Sequence, residues 1–343
     1  MTLLSDLGAT SPVVAAPMAG GPTTTDLVVA AAGAGSLGFL AGGYLDAESL
    51  GQQVESVAAG TDLYGVNLFA PRPVAVDPAA YATYRHLIGP EAERRGVDLA
   101  ALPSRPVEDD DAWRDKVDLL RAHPVPVVSF TFGLPDAATV AALHRAGCLL
   151  AQTVTSADEA RAAAEAGLDA VLVQAPAAGG HSGIFTPTHD PADRPLADLV
   201  AQVRAALSLP VLAAGGLATA EQVAAVLDAG AEGAMVGTAL LLAHEAGTSA
   251  AHRAGLLDHS RETVMMRAFT GRPARGLRND FSQRYGASAP TGYPALHHLT
   301  RPIRRAAAAT SDPEGVNLWA GTGYRLARSA PAAEILTSLA RRA

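Results

Sequence analysis

Residues 174–185 read QAPAAGGHSGIF, with His181 set between Gly179–Gly180 and Gly183 at the end of an apolar run. Imidazole is the side chain whose ordinary pKa lies closest to neutral, so it can take a proton or donate a hydrogen bond to an anion. The glycines describe a flexible, exposed loop that can turn the ring over a pocket. A lone loop histidine is more often surface decoration, but here the flanking glycines shift the reading toward a ring turned over a pocket. Glycine recurs in LPVLAAGGLATAEQ, at Gly215 and Gly216, and in GAMVGTALL, at Gly237 beside Thr238. Each cluster ends an apolar run. Two such loops, late in a strand–helix repeat, are where barrels bind phosphate through backbone N–H groups. The same glycines also suit plain tight turns.

Amide side chains interrupt other apolar runs: Asn67, Gln152 and Gln174. A buried amide needs partners. Core groups can supply them, and so can the polar edge of a planar ring. Other chemistries lack their residues. The one lysine, Lys116, falls on an outer helix, where no Schiff base could serve a barrel mouth. Cys148 precedes a strand rather than ending one. No His, Asp or Glu cluster at the strand ends suggests a metal, and His297–His298 reads as a structural pair in the tail. The hard chemistry is then expected from a cofactor. A phosphate-bearing planar cofactor points to FMN.

The elements that must position these residues alternate regularly. Apolar runs at 12–18, 36–42, 62–69, 125–133, 149–155, 169–175, 209–216 and 232–242 read as eight strands covered on both faces. Segments of helical period lie between them, most opening on Asp, Ser or Thr and several closing on Gly. The stretch AHEAGTSAAHRAGLL supplies an eighth helix. This pattern predicts an α/β fold, a (β/α)₈ TIM barrel with a mostly helical cap, ahead of an open doubly wound sheet. The barrel is expected over 1–245 and 315–343, with an insert at 70–108, and the cap over 246–314. The cap segment, helped by the insert, is expected to cover the mouth.

Composition agrees. Of 343 residues, 49% are hydrophobic and 17% charged, with a formal net charge of −8. No basic stripe invites nucleic acid or an anionic membrane, and no apolar run is long enough for a membrane span. A single cysteine and an N-terminus without a basic leader lead to the expectation of a cytoplasmic protein.

Several stretches together resemble the nitronate monooxygenases, once called 2-nitropropane dioxygenases. They are APMAGGPTTTDLVVAAAGAGSLGFL, GVNLF, VQAPAAGGHSG, LPVLAAGGLATAEQVAAVLDAGAEGAMVGTALL, FTGRPARGLRN and LWAGTGYRLA. They run in order across nearly the whole chain. The resemblance implies an FMN-dependent barrel that oxidises alkyl nitronates with O₂ to a carbonyl compound and nitrite. Carried over by motif, the flavin contacts would include Ala16, Pro17, Met18, Asn67, Gln174, Gly179, Gly180, Gly216 and Met235, Val236, Gly237 and Thr238. Gln152 and Gly215 join them as strand-end residues. His181 would be the active-site histidine, holding the anionic nitronate or acting as base on a nitroalkane. This chain has Ala177–Ala178 where the family often has Glu-Ala, which weakens the base assignment. Arg272 and Arg275 in TGRPARG either bring positive charge to the cap or are simply solvated. Two other functions suit the same barrel: an NAD(P)H-dependent quinone or enoyl-thioester reductase, and a flavin-binding protein without turnover. A homodimer is compatible with the sequence.

Overall fold

The computed structural model describes residues 3–341. The barrel strands are β1 (Val13–Ala15), β2 (Gly38–Ala41), β3 (Tyr64–Ala70), β4 (Val127–Phe132), β5 (Leu149–Val154), β6 (Ala170–Gln174), β8 (Val211–Ala214) and β9 (Gly233–Val236). All pair in parallel and in chain order, and β1 closes on β9 with Val13 opposite Ala234 and Ala15 opposite Val236. The eight apolar runs of the sequence are these eight strands. The last run ends sooner than expected: strand geometry stops at Val236 and Thr238–Leu240 forms a 3-10 turn.

Continuous apolar runs become strands because both faces are buried. One face fills the barrel interior, where Val14, Leu37, Phe39, Val127, Leu172, Leu212 and Met235 pack together with Leu3 and Leu4. The short N-terminal helix Leu3–Asp6 closes the bottom: Leu4 sits so near Gly233 that a Cβ there would lie 2.7 Å from its methyl. The other face meets the outer helices, whose starts are fixed by side chains. Thr24, Asp46, Asp136 and Ser156 each accept from a first-turn amide, and Thr219 with Gln222 forms a capping box. Each such cap stabilises its helix by roughly 1 kcal/mol.

The eighth outer helix is not the one expected. Ala250–Leu257, within AHEAGTSAAHRAGLL, packs against helix Ala295–Ala309 in the cap. The C-terminal helix Ala332–Ala340 takes the vacant place, against β1 and helices Thr25–Gly33 and Ala220–Asp228. Both segments have helical period and a Pro or Ser start, so only the tertiary contacts decide which one the barrel uses.

A second core lies above the barrel. Val76, Tyr81, Tyr84, Ile88 and Leu102 of the insert pack with Met266, Phe269, Phe281, Leu296, Leu299 and Ile303 of the later segment. The Tyr84 hydroxyl donates to the Ala268 carbonyl at 2.7 Å, tying the two together. A small antiparallel sheet roofs the mouth: β10 (Thr263–Met266), β11 (Ala274–Leu277) and β7 (Gly180–His181).

Candidate active site

That sheet changes the reading of the histidine loop. It is neither flexible nor exposed: His181 pairs with Ala274 and Gly180 with Arg275. The Ser182 amide donates to the Pro273 carbonyl at 2.8 Å. Gln174 holds the loop from below, donating to the His181 carbonyl at 3.1 Å and accepting from the Gly183 amide at 2.7 Å. Its amide is therefore satisfied by the loop itself. Glycine is required here for two reasons. Gly180 has φ +80°, and a Cβ on Gly183 would lie 2.7 Å from the Thr153 methyl.

Arg272 and Arg275 are not solvated. Arg272 is fully buried, with Nε donating to the Ser182 carbonyl at 3.2 Å, Nη2 to the Ile184 carbonyl, and its guanidinium 4.0 Å from the Phe132 ring centre. Its Nη1 has no partner, and no carboxylate pairs with it among the described residues. Burial pushes its pKa down to about 9. Arg275 Nε donates to the Pro176 carbonyl, bracing the other end of the loop.

His181 looks down into a cavity of about 960 Å³ over the C-terminal ends of the strands. Its ring touches Phe132 at 5.8 Å, Tyr293 at 5.8 Å and Trp319 at 5.3 Å between centres, and Nε2 lies 2.9 Å from the Thr270 hydroxyl. Burial, then the charges of Arg272 and Arg304, push its pKa down to about 3. The imidazole is thus neutral across the physiological range.

One side of the cavity is built from small residues and backbone. Ala16, Pro17, Met18, Gly179, Gly180, Gly215, Met235, Val236, Gly237 and Thr238 all line it, with Asn67 and Gln174 at strand ends. The Gly215, Gly237 and Thr238 amides make no backbone hydrogen bond in turns or loops among the described residues. Gly215 has φ +132°, and its missing Cβ would lie 3.1 Å from Ala175. Open amides beside close-packed glycines fit a phosphate group. Asn67 donates to Ser129 Oγ at 2.9 Å and Thr131 Oγ1 at 3.1 Å, leaving its carbonyl oxygen for a ligand. Two candidates stand apart. Gln152 is fully buried with an unpartnered Oε1 and does not reach the cavity. Gly216 lies behind Gly215, where a Cβ would meet Thr322 Oγ1 at 2.9 Å.

Sequence reading missed the opposite wall. It is aromatic and basic: Tyr44, Phe69, Phe132, Tyr293, His297 and Trp319, with Arg301, Arg304 and Arg305. Tyr44 stacks on His297 at 4.3 Å, and its hydroxyl lies 3.4 Å from that of Tyr293. Burial raises the Tyr44 pKa to about 12 and pushes that of Tyr293 well above its ordinary value. His297–His298, expected to be merely structural, forms part of this wall. Tyr44 follows Gly42–Gly43 directly, so extending the strand-end reading by one residue would have found it. Trp319 lies in the stretch LWAGTGYRLA, which by itself assigns it no role, and Arg304 carries no local signal.

A capped, eight-stranded parallel barrel with a glycine-rich rim and a half-buried neutral histidine over its mouth is an arrangement suited to a cofactor-using enzyme. Comparison with known proteins is more specific. A model of the family described as nitronate monooxygenase matches residues 1–342. A probable nitronate monooxygenase of Bacillus subtilis is 33% identical over 323 residues, covering 92% of this chain and 91% of that protein. The solved nitroalkane oxidase of Streptomyces ansochromogenes superposes with a TM-score of 0.93 at 43% identity, covering 99% of this chain and 97% of that one. FabK of Thermotoga maritima shares the fold, with a TM-score of 0.75 at 24% identity. The chain belongs to the nitronate monooxygenase family and is an oxidoreductase. Among the described residues, no helix is long and apolar enough to cross a membrane.

Proposed function

We propose that this protein binds FMN and oxidises alkyl nitronates with O₂ to a carbonyl compound and nitrite. The observation that carries the reading is the placement of neutral His181, pinned by β11 and Gln174, across one cavity from the open amides of Gly215, Gly237 and Thr238. Those amides would hold the phosphate, and Ala16–Met18, Asn67 and Met235 would border the ring. When bound, the flavin supplies the redox chemistry that no side chain here offers.

The chain's own groups bind and orient the substrate. A neutral imidazole donates a hydrogen bond to a nitronate oxygen without needing a second charge. Proton abstraction from a neutral nitroalkane is disfavoured, because an imidazolium here would be desolvated and repelled by Arg272 and Arg304. This supports nitronates over nitroalkanes as substrates. Phe132, Tyr293 and Trp319 exclude water from the reacting end.

Aerobic assays of the flavin-loaded protein with an alkyl nitronate test the reading. Nitrite and the matching ketone or aldehyde should appear together. His181→Ala should retain flavin and lose about 100-fold or more in kcat/KM, within the range that a positioned hydrogen-bonding or acid–base group supplies. No nitrite from any nitronate, with flavin bound, would overturn it.

A further inference from the structure

We infer that the arginine face of helix Ala295–Ala309 is an anion subsite that takes a carboxylate or phosphate at the far end of the substrate. Arg301, Arg304 and Arg305 lie three and four residues apart, so they share one side of the helix, and all three line the cavity that His181 overlooks. Among the described residues no carboxylate forms an ion pair with any of them. Arg304 is held only by neutral groups: Thr300 Oγ1 at 3.1 Å, Asn317 Oδ1 at 3.2 Å and the His297 carbonyl at 2.9 Å. Of the carboxylates that line the same cavity, Asp109 pairs with His298 at 2.7 Å and Asp111 with Lys116 at 2.7 Å, Asp46 caps its helix by accepting from the Ser49 amide at 2.8 Å, and exposed Asp110 forms no ion pair with the arginines.

Three like charges clustered at a cavity wall repel one another, and burial adds to the cost for Arg304, whose pKa falls to about 10. An anion between them relieves both effects. The wall stands at a defined remove from the reacting end. His181 touches Tyr293, the Tyr293 ring is 6.4 Å from that of His297, and Arg304 Nη2 is 3.3 Å from His297 Nδ1. A substrate long enough to run from His181 past Tyr293 and His297 can therefore present a second anion to the arginines. The identity of the reacting end rests on the nitronate reading above; the subsite itself does not.

Three nitronates of equal length test it: one ending in a carboxylate, one in a phosphonate and one in a methyl group. In Arg301→Ala/Arg305→Ala, kcat/KM for an anionic-tailed nitronate relative to the methyl-tailed one should fall at least tenfold, through KM. Whichever anionic tail the wild type prefers identifies the natural group. Calorimetric titration of the FMN-loaded protein with glutarate should show a matching tenfold weakening in the same variant. Both arginines are exposed, so folding is preserved; Arg304→Gln offers a second variant. An unchanged tail preference, or unchanged glutarate binding, overturns the subsite. Absence of nitrite from every nitronate, with glutarate binding intact and lost in the variant, sinks the nitronate reading alone. Flavin bleaching by NADPH that disappears in the variant, with tail preference unchanged, would reassign the wall to a nucleotide phosphate and also overturn the proposal.

Discussion

At the scale of single residues, the site depends on keeping one imidazole neutral and still. Arg272 contributes to both. It bonds the carbonyls on either side of Gly183, and its charge opposes protonation of His181. Arg272→Met should therefore raise the His181 pKa from about 3 toward the ordinary 6.5, because a repelling cation is removed. NMR titration of the histidine ring protons would show it; a pKa that stays put would mean that burial and Arg304 set the value without Arg272. His181 was legible in the sequence because its glycine neighbours mark a loop with unusual backbone demands. Its pinning was not legible, because the strand that holds it, Ala274–Leu277, lies almost a hundred positions away. Tyr293 and Arg304 were invisible for the same reason, and Trp319, although it lies in the motif LWAGTGYRLA, could not be assigned to the cavity from that stretch alone.

At the scale of elements, the tail stretch 315–323 joins loops that chain order separates. The Gly321 amide donates to Thr238 Oγ1 at 2.9 Å and the Thr322 amide to the Ala177 carbonyl at 3.1 Å. Gly179 allows this approach, because a Cβ there would lie 2.5 Å from Gly321 N and 2.6 Å from Ala320 C. Gly179→Val should destabilise the fold by about 1–3 kcal/mol and weaken flavin binding, since the tail would be pushed off the glycine rim. Urea unfolding and flavin titration would check this. Wild-type stability with normal flavin affinity would show that the tail can dock without the close contact. The barrel elements were readable because most strands are largely apolar on both faces and many of the outer helices open on a side-chain cap. Their ends were less so: GTALL is apolar enough to extend β9 on paper, but Gly237 turns the chain into the 3-10 segment.

At the scale of the whole molecule, burial holds three histidines neutral among the described residues: His181, His252 and His297. Unfolded imidazoles take protons near pH 6.5, whereas His181 and His252 wait until about 3 and about 4. Acid therefore favours the unfolded chain. The stability these groups contribute is complete above pH 6.5 and is lost progressively as pH falls toward 3 to 4, each with a limiting slope of about 1.4 kcal/mol per pH unit. Melting temperature should drop steadily from pH 7 to 5, and a flat profile there would contradict the burial of these rings. Global architecture was readable from alternation, and a cap at 246–314 helped by the insert was expected from the segments that fall outside the repeat; which residues of 76–102 and 264–303 pair to form its core was not, because those contacts are distant in the chain. The central claim, that this capped barrel turns over nitronates through a bound flavin, is tested most directly by anaerobic rapid mixing. FMN-loaded protein should lose its visible flavin absorbance on mixing with an alkyl nitronate and recover it when air is admitted. Flavin that stays oxidised with every nitronate but bleaches with NADH or NADPH would contradict the account.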